Sequence, residues 1–189
     1  MKILFLDHDG VICLSSEWGS RLKKTKAYSN PNPGGERSVP VEFRFDNFNK
    51  KAIGVLNKIL LETDAEIVVS SDWQHFCNLE EMGLYYEMQG IIKKPIAFTG
   101  NIIDPAKATW HRDWDSEGTR SLEIMTWLES HPEVTNWVAV DDLNMGKIVK
   151  SYSMEFIHEW GLENFVHTPR GNEGIKQVGI KEKILRFLK

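Results

Sequence analysis

Apolar and polar positions along this chain alternate between two periods. Residues 2–6, KILFL, form a short unbroken apolar run, as a buried strand does, and the run stops at a polar cluster. From Asn47 the period changes: Phe48, Ala52, Ile53, Leu56, Ile59 and Leu60 recur at helical spacing, predicting an amphipathic helix over 47–62. A second apolar strand, AEIVVSS at 65–71, is followed by helical spacing over 74–88 and a short strand at 95–100. A polar loop over 101–117 leads to a helix over 118–130, which His131-Pro132 ends because proline cannot extend the hydrogen-bond ladder. WVAVDD at 137–142 reads as the next buried strand, and 143–150 as a loop leading into a short helix. A last strand at 164–168 and an amphipathic helix over 174–188 close the pattern.

Residues 11–44 fit neither period. Their Tyr28–Arg37 stretch carries Pro, Asn and Gly in turn-forming combinations, so the insertion 12–46 is expected to be a flap or small cap, with a hairpin from Val39 to Phe45. Apolar strands alternating with amphipathic helices predict an α/β fold, a three-layer Rossmann-like parallel sheet covered by helices on both faces. With 189 residues, one domain carrying an insertion is expected rather than two.

Composition removes several classes of function. Apolar residues at 41% and charged residues at 26% describe a folded globular chain. A net charge of −4 is unlike a general nucleic-acid binder, though it leaves room for a local basic groove. Cys13 and Cys77 stand far apart, which argues against a disulfide framework and against zinc. The opening run MKILFLDHDGVICL is interrupted by acids at 7 and 9, so neither a signal peptide nor a membrane span is expected, and the cytoplasm is the expected compartment.

The chemistry sits at strand ends, where folds of this class bind ligands. Asp7-His8-Asp9-Gly10 follows the first strand; two carboxylates at i and i+2, with a glycine that lets the backbone turn, can face one cavity. Asp141-Asp142 ends the strand at 137–142. Up to four carboxylates converging at one end of a sheet repel each other unless a cation is shared, and an all-oxygen donor set favours magnesium. As an alternative, Asp7 and Asp9 make a local turn and cap, and Asp142 caps the next helix. Ser70 and Ser71 end the second strand, where a hydroxyl either donates to an anion or caps the next helix. A metal with hydroxyl donors suits phosphate, and phosphate transfer also needs a fixed cation. Lys93, Lys94, Lys107, Arg112 and Arg120 are the candidates, with Arg120 and Lys107 foremost. No glycine-rich nucleotide loop and no nucleophile elbow is present.

Strand ends reading FLDHDGV, VVSS and VAVDD resemble the haloacid-dehalogenase-like superfamily of phosphotransferases. The stretches Phe5–Val11, Val68–Trp73, Arg120–Leu128 and Asp141-Asp142 are similar to its small branch found in RNA-repair proteins and related phage and bacterial phosphatases. The resemblance implies that Asp7 is the nucleophile, forming an aspartyl-phosphate, and that Asp9 is the general acid and base. It implies that Ser70 binds the phosphoryl oxygens and that Arg120 or Lys107 is the offsetting cation. Ser71, Lys107 and Gly10 would line the substrate. Asp7, Asp9 (through its backbone carbonyl) and Asp141 or Asp142 would hold magnesium. The expected substrate is a phosphorylated one, foremost a nucleotide or a nucleic-acid end; a small-metabolite phosphatase and a non-catalytic phosphate-binding module of a repair complex are the alternatives. A monomer or weak homo-oligomer without membrane contact is expected. Arg21, Lys23, Lys24, Lys26 and Arg37, interleaved with Trp18 and Tyr28, suit a nucleic-acid end, or else form a solvated loop.

Overall fold

A computed structural model describes residues 1–20, 39–100, 116–146, 149–153 and 156–189, with backbone alone for 116, 149–153 and 156–160. Five strands, β1 (Lys2–Leu6), β2 (Glu66–Val69), β3 (Ala97–Phe98), β4 (Asn136–Asp141) and β7 (Phe165–His167), form one sheet in the order β3-β2-β1-β4-β7. Every pairing in it is parallel. The order reverses between β1 and β4, which makes their C-terminal ends the topological switch point.

Side-chain alternation on the central strands feeds two cores, because successive residues of a strand point to opposite faces. Leu4 and Leu6 of β1 pack with α2 (Lys50–Thr63), α3 (Leu79–Gln89) and α5 (Ile180–Leu188), through Leu56, Tyr86 and Ile184 among others. Ile3 and Phe5 pack on the opposite side against Ile124 and Trp127 of α4 (Ser116–Glu129). This is the three-layer α/β arrangement that the alternating periods predict. Ile3 to Leu6 are wholly buried, and a buried side chain of that size contributes roughly 1.5–3 kcal/mol.

Local chemistry sets the helix ends. Asn49 caps α2 by accepting from the backbone N–H groups of Lys51 and Ala52. Asn78 and Glu81 form a reciprocal capping box at α3, which is why α3 starts at Leu79. The helix expected over 74–88 is therefore two pieces, a 3₁₀ turn at Asp72–Phe76 and then α3, with half-buried Cys77 between them. The helix expected over 174–188 is likewise broken. A 3₁₀ turn (Gly174–Lys176) closes at Gln177, and Gly179, at φ 84°, stands just before α5.

Two further expectations are corrected. Val39–Phe45 is not a hairpin: Val41–Arg44 is one helical turn, α1. Arg44 explains it, because its buried guanidinium donates to Val39 O and Phe76 O and grips Glu81 at 2.7 Å, fastening the turn to α3. The short helix expected after 143 is replaced by an antiparallel hairpin of β5 (Val149–Ser153) and β6 (Phe156–Trp160). The insertion leaves and returns at one point. Ser20 Oγ donates to Asp46 Oδ1 at 3.0 Å, and the Asn47 N–H donates to Ser20 Oγ at the same distance. Lys107, Arg112, Tyr28 and the basic residues expected in the flap lie outside the described residues. Among the described residues no helix is long and apolar enough to cross a membrane.

Candidate active site

Asp7 leaves β1 at the switch point, its N–H still donating to Val140 O of β4 at 3.1 Å. The chain then turns sharply: His8 O accepts from the N–H groups of Val11, Ile12 and Cys13, and Gly10 N–H donates to Cys13 O. Gly10 adopts φ 68°, which favours glycine, and a Cβ there would come within 2.6 Å of Asp142 Cγ. Glycine thus lets the acid of the β4 end lie over the β1 loop.

The ends of β1 and β4 bring carboxylates together. Asp7, Asp141 and Asp142 each offer an oxygen, all within 4.8 Å of one another. Asp7 and Asp141 are buried and Asp142 half-buried. Asp141 Oδ1 also accepts from the Leu143 N–H at 2.8 Å, which aims its carboxylate.

Arg120, in the first turns of α4, reaches into this cluster. Its Nη1 donates to Ser70 O at 2.7 Å, to Asp7 Oδ1 at 3.0 Å and to Asp141 Oδ2 at 3.2 Å. Its Nη2 donates to exposed Asp72 at 2.9 Å. Asp72 is thus part of the guanidinium's clamp, a role that a reading as a local cap misses. Burial works against the guanidinium's charge, but Asp7, Asp141 and Asp72 together push its pKa up.

Three carboxylates against one guanidinium leave an excess of negative charge in a buried place. Burial raises the Asp7 pKa to about 7, against the pull of Arg120 and Ser71. Burial and the charge of Asp7 raise Asp141 well above the carboxylate range, and burial followed by Asp9 raises Asp142. An all-oxygen donor set with this charge deficit fits a divalent cation such as magnesium.

Asp9 is not among those three carboxylates, though its charge is felt by Asp142. Its Oδ2 accepts a 2.8 Å hydrogen bond from Trp73 Nε1. Burial pushes the Asp9 pKa up despite that bond, the direction that a general acid needs. Trp73 is itself held flat, stacked on Phe45 at an interplanar angle of 4° and on Phe48 at 16°. No spacing rule joins residues 9 and 73, so the sequence marks Trp73 only as packing. His8, between the two acids, is wholly buried against Trp73 and Phe48, its Nε2 2.7 Å from Tyr86 Oη. Burial, then Arg120, drives its pKa down to about 3, so the ring is neutral.

Ser70 and Ser71 follow β2, and Ser71 precedes the 3₁₀ turn without a side-chain capping bond. Both hydroxyls are buried, and neither has a partner at full hydrogen-bond geometry among the described residues, although Ser71 lies close enough to Asp7 to lower its pKa. Hydroxyls in that state are available to an incoming anion. A loop after β7 completes the rim: Thr168 N–H donates to Asp141 O, and Gly171 O accepts from Ser15 N–H.

A protein-family model, described as the HAD domain in Swiss Army Knife RNA repair proteins, matches residues 3–175. The chain belongs to that family. No curated protein and no solved structure matches the chain significantly. Membership supports a phosphatase-type hydrolase in an RNA-repair setting. In this HAD domain, Asp7, Ser70, Ser71, Arg120, Asp141 and Asp142 come from three strand ends and one helix onto one edge of the sheet, with Asp9 and Gly10 in the adjoining loop.

Proposed function

We propose that this chain is a magnesium-dependent phosphomonoesterase that acts through an aspartyl-phosphate on Asp7, with the terminal phosphate of a nucleotide or polynucleotide as its substrate. The observation that carries the reading is the division of labour between two acids two residues apart. Asp7 is set among Arg120, Asp141 and Asp142, while the Asp9 carboxylate is bonded to Trp73.

In the first step an Asp7 oxygen attacks phosphorus, the bond to the leaving oxygen breaks, and Asp9 gives that oxygen its proton. In the second, Asp9 takes a proton from water, whose oxygen displaces Asp7 and releases inorganic phosphate. Splitting one displacement into two lowers each barrier, provided that the groups are held in line. Arg120 keeps Asp7 in place and offsets charge on the phosphoryl oxygens, and Ser70 and Ser71 donate hydroxyls to them. Magnesium, held by Asp7, by Asp141 or Asp142 and by the backbone carbonyl of Asp9, would supply positive charge opposite the transferred group. Asp7 must be ionised to attack; burial pushes its pKa up to about 7, and a cation nearby would bring it down.

The test is a phosphate-release panel with and without magnesium, comparing 3′- and 5′-phosphorylated oligonucleotides with mononucleotides and sugar phosphates. Asp7→Asn, which keeps the side chain's shape and removes its charge, should be inactive on all of them while keeping the parent's circular dichroism. Parent-level release by that variant refutes the nucleophile assignment.

A further inference from the structure

A basic trough lies beside the 3₁₀ turn that follows the loop rimming the site. It encloses about 600 Å³ between α2, the 3₁₀ turn at Gly174–Lys176 and α5. Lys58, Lys176, Lys181, Lys183 and Arg186 line it, against the single acid Glu182. Lys181 is engaged by Glu62 at 2.6 Å. The other four cations have no carboxylate partner among the described residues, in a chain whose net charge is −4. Such a concentration is local and stands out against the overall charge.

The trough shares a residue with a neighbouring hollow. Lys176 also lines a second hollow of about 660 Å³, together with Glu17, Lys50 and Lys51. Glu17 precedes Trp18, whose indole is 55% exposed. A Cβ on Gly171 would lie 4.0 Å from Trp18 Cη2 and 3.9 Å from Gly10 Cα, so the exposed ring and the Asp9–Gly10 turn flank the same glycine. Lys176 is shared by the two hollows, and Trp18 follows Glu17 of the second in the chain; taken in that order they mark a track that starts beside Gly10.

We infer that this track binds the backbone of a single-stranded nucleic acid, with a base stacked on Trp18 and phosphates along Lys176, Lys183 and Arg186. Cations that follow a groove with an aromatic at one end are the arrangement that holds a strand without reading its sequence. The inference rests on the proposed function only in directing the strand's end toward Asp7; binding along the track needs no turnover. It makes the substrate a polymer, since only a strand carries phosphates for three separate cations.

The experiment compares the parent with the triple variant Lys176→Ala, Lys183→Ala, Arg186→Ala, all surface changes. Fluorescence anisotropy follows an unphosphorylated single-stranded RNA over a salt series, and p-nitrophenyl phosphate turnover is measured alongside. Three lost phosphate contacts should weaken binding about tenfold or more at low salt and reduce the log–log salt slope by about 2, at roughly 0.7 per cation. Turnover of the small ester should not change, and Trp18→Ala should weaken binding about 5- to 100-fold without altering the salt slope. Equal affinity and slope in parent and triple variant overturn the inference, as does a parent that binds phosphatidylserine vesicles but not the RNA. If the phosphatase reading alone fails, the RNA result stands while the parent leaves p-nitrophenyl phosphate intact.

Discussion

Trp73 Nε1 and Asp9 Oδ2 are joined by a 2.8 Å hydrogen bond that spans 64 positions of sequence. The indole donates to the acid proposed to protonate the leaving group, and two phenylalanines fix the indole's plane. Trp73→Phe keeps most of the packing and removes the donor. We expect kcat to fall about tenfold or more on an alkyl phosphate, whose leaving oxygen needs a proton, within the 10²–10⁴ that general acid catalysis contributes. On p-nitrophenyl phosphate, whose leaving group needs none, the loss should be much smaller. Equal losses on the two esters would show that Trp73 only packs.

Arg120 is 8% exposed and donates to Asp7, Asp141, Asp72 and Ser70 O. Arg120→Ala leaves buried carboxylates uncompensated, a change that typically costs about 3–5 kcal/mol. Urea unfolding should show that loss, and kcat should drop about 10²–10³-fold. Arg120→Lys restores charge without the fork and should recover stability better than rate. A stability near the parent's for Arg120→Ala would mean that the clamp carries little.

The pH dependence has a definite sign. Asp7 has a folded-state pKa of about 7 against 3.8 for the free side chain, so the native state holds a proton that the unfolded chain gives up. Its contribution is intact below about pH 4 and is lost as pH rises through 7. A divalent cation removes that penalty. Magnesium should therefore raise the melting midpoint more at pH 8 than at pH 5; at a hundred times Kd it stabilises the fold by about 2.7 kcal/mol. Asp141→Asn should blunt the magnesium response. A midpoint indifferent to magnesium at both pH values would remove the cation from the site.

How much of this is legible in the sequence depends on how local the cause is. The central strands and the helices covering them follow from periodicity, since Leu4, Leu56 and Ile184 are buried as their spacing demands. The acids at strand ends are legible too, because parallel topology alone puts residues 7 and 141 at one edge. Arg120's reach depends on how α4 crosses the sheet, which spacing within the helix does not encode. The partners of Trp73 and Asp72 are equally remote, and local reading offers only packing or a cap. The turn at Val41–Arg44 forms because Arg44 finds Glu81, 37 residues away, and not because of its own propensity. The hairpin of β5 and β6 replaces an expected short helix, and its strands pair with each other and with no strand of the main sheet.

The Asp7–Arg120 contact bridges 113 positions, and Asp141 comes later still. Contacts of such range form late, after the cost of closing a long loop has been met. During synthesis the emerging chain therefore carries Asp7 and Asp9 before Arg120 and Asp141 can stand beside them. The proposed reactivity would arrive with the whole sheet, so the appearance of hydrolysis during refolding would time the docking of α4 against the strands.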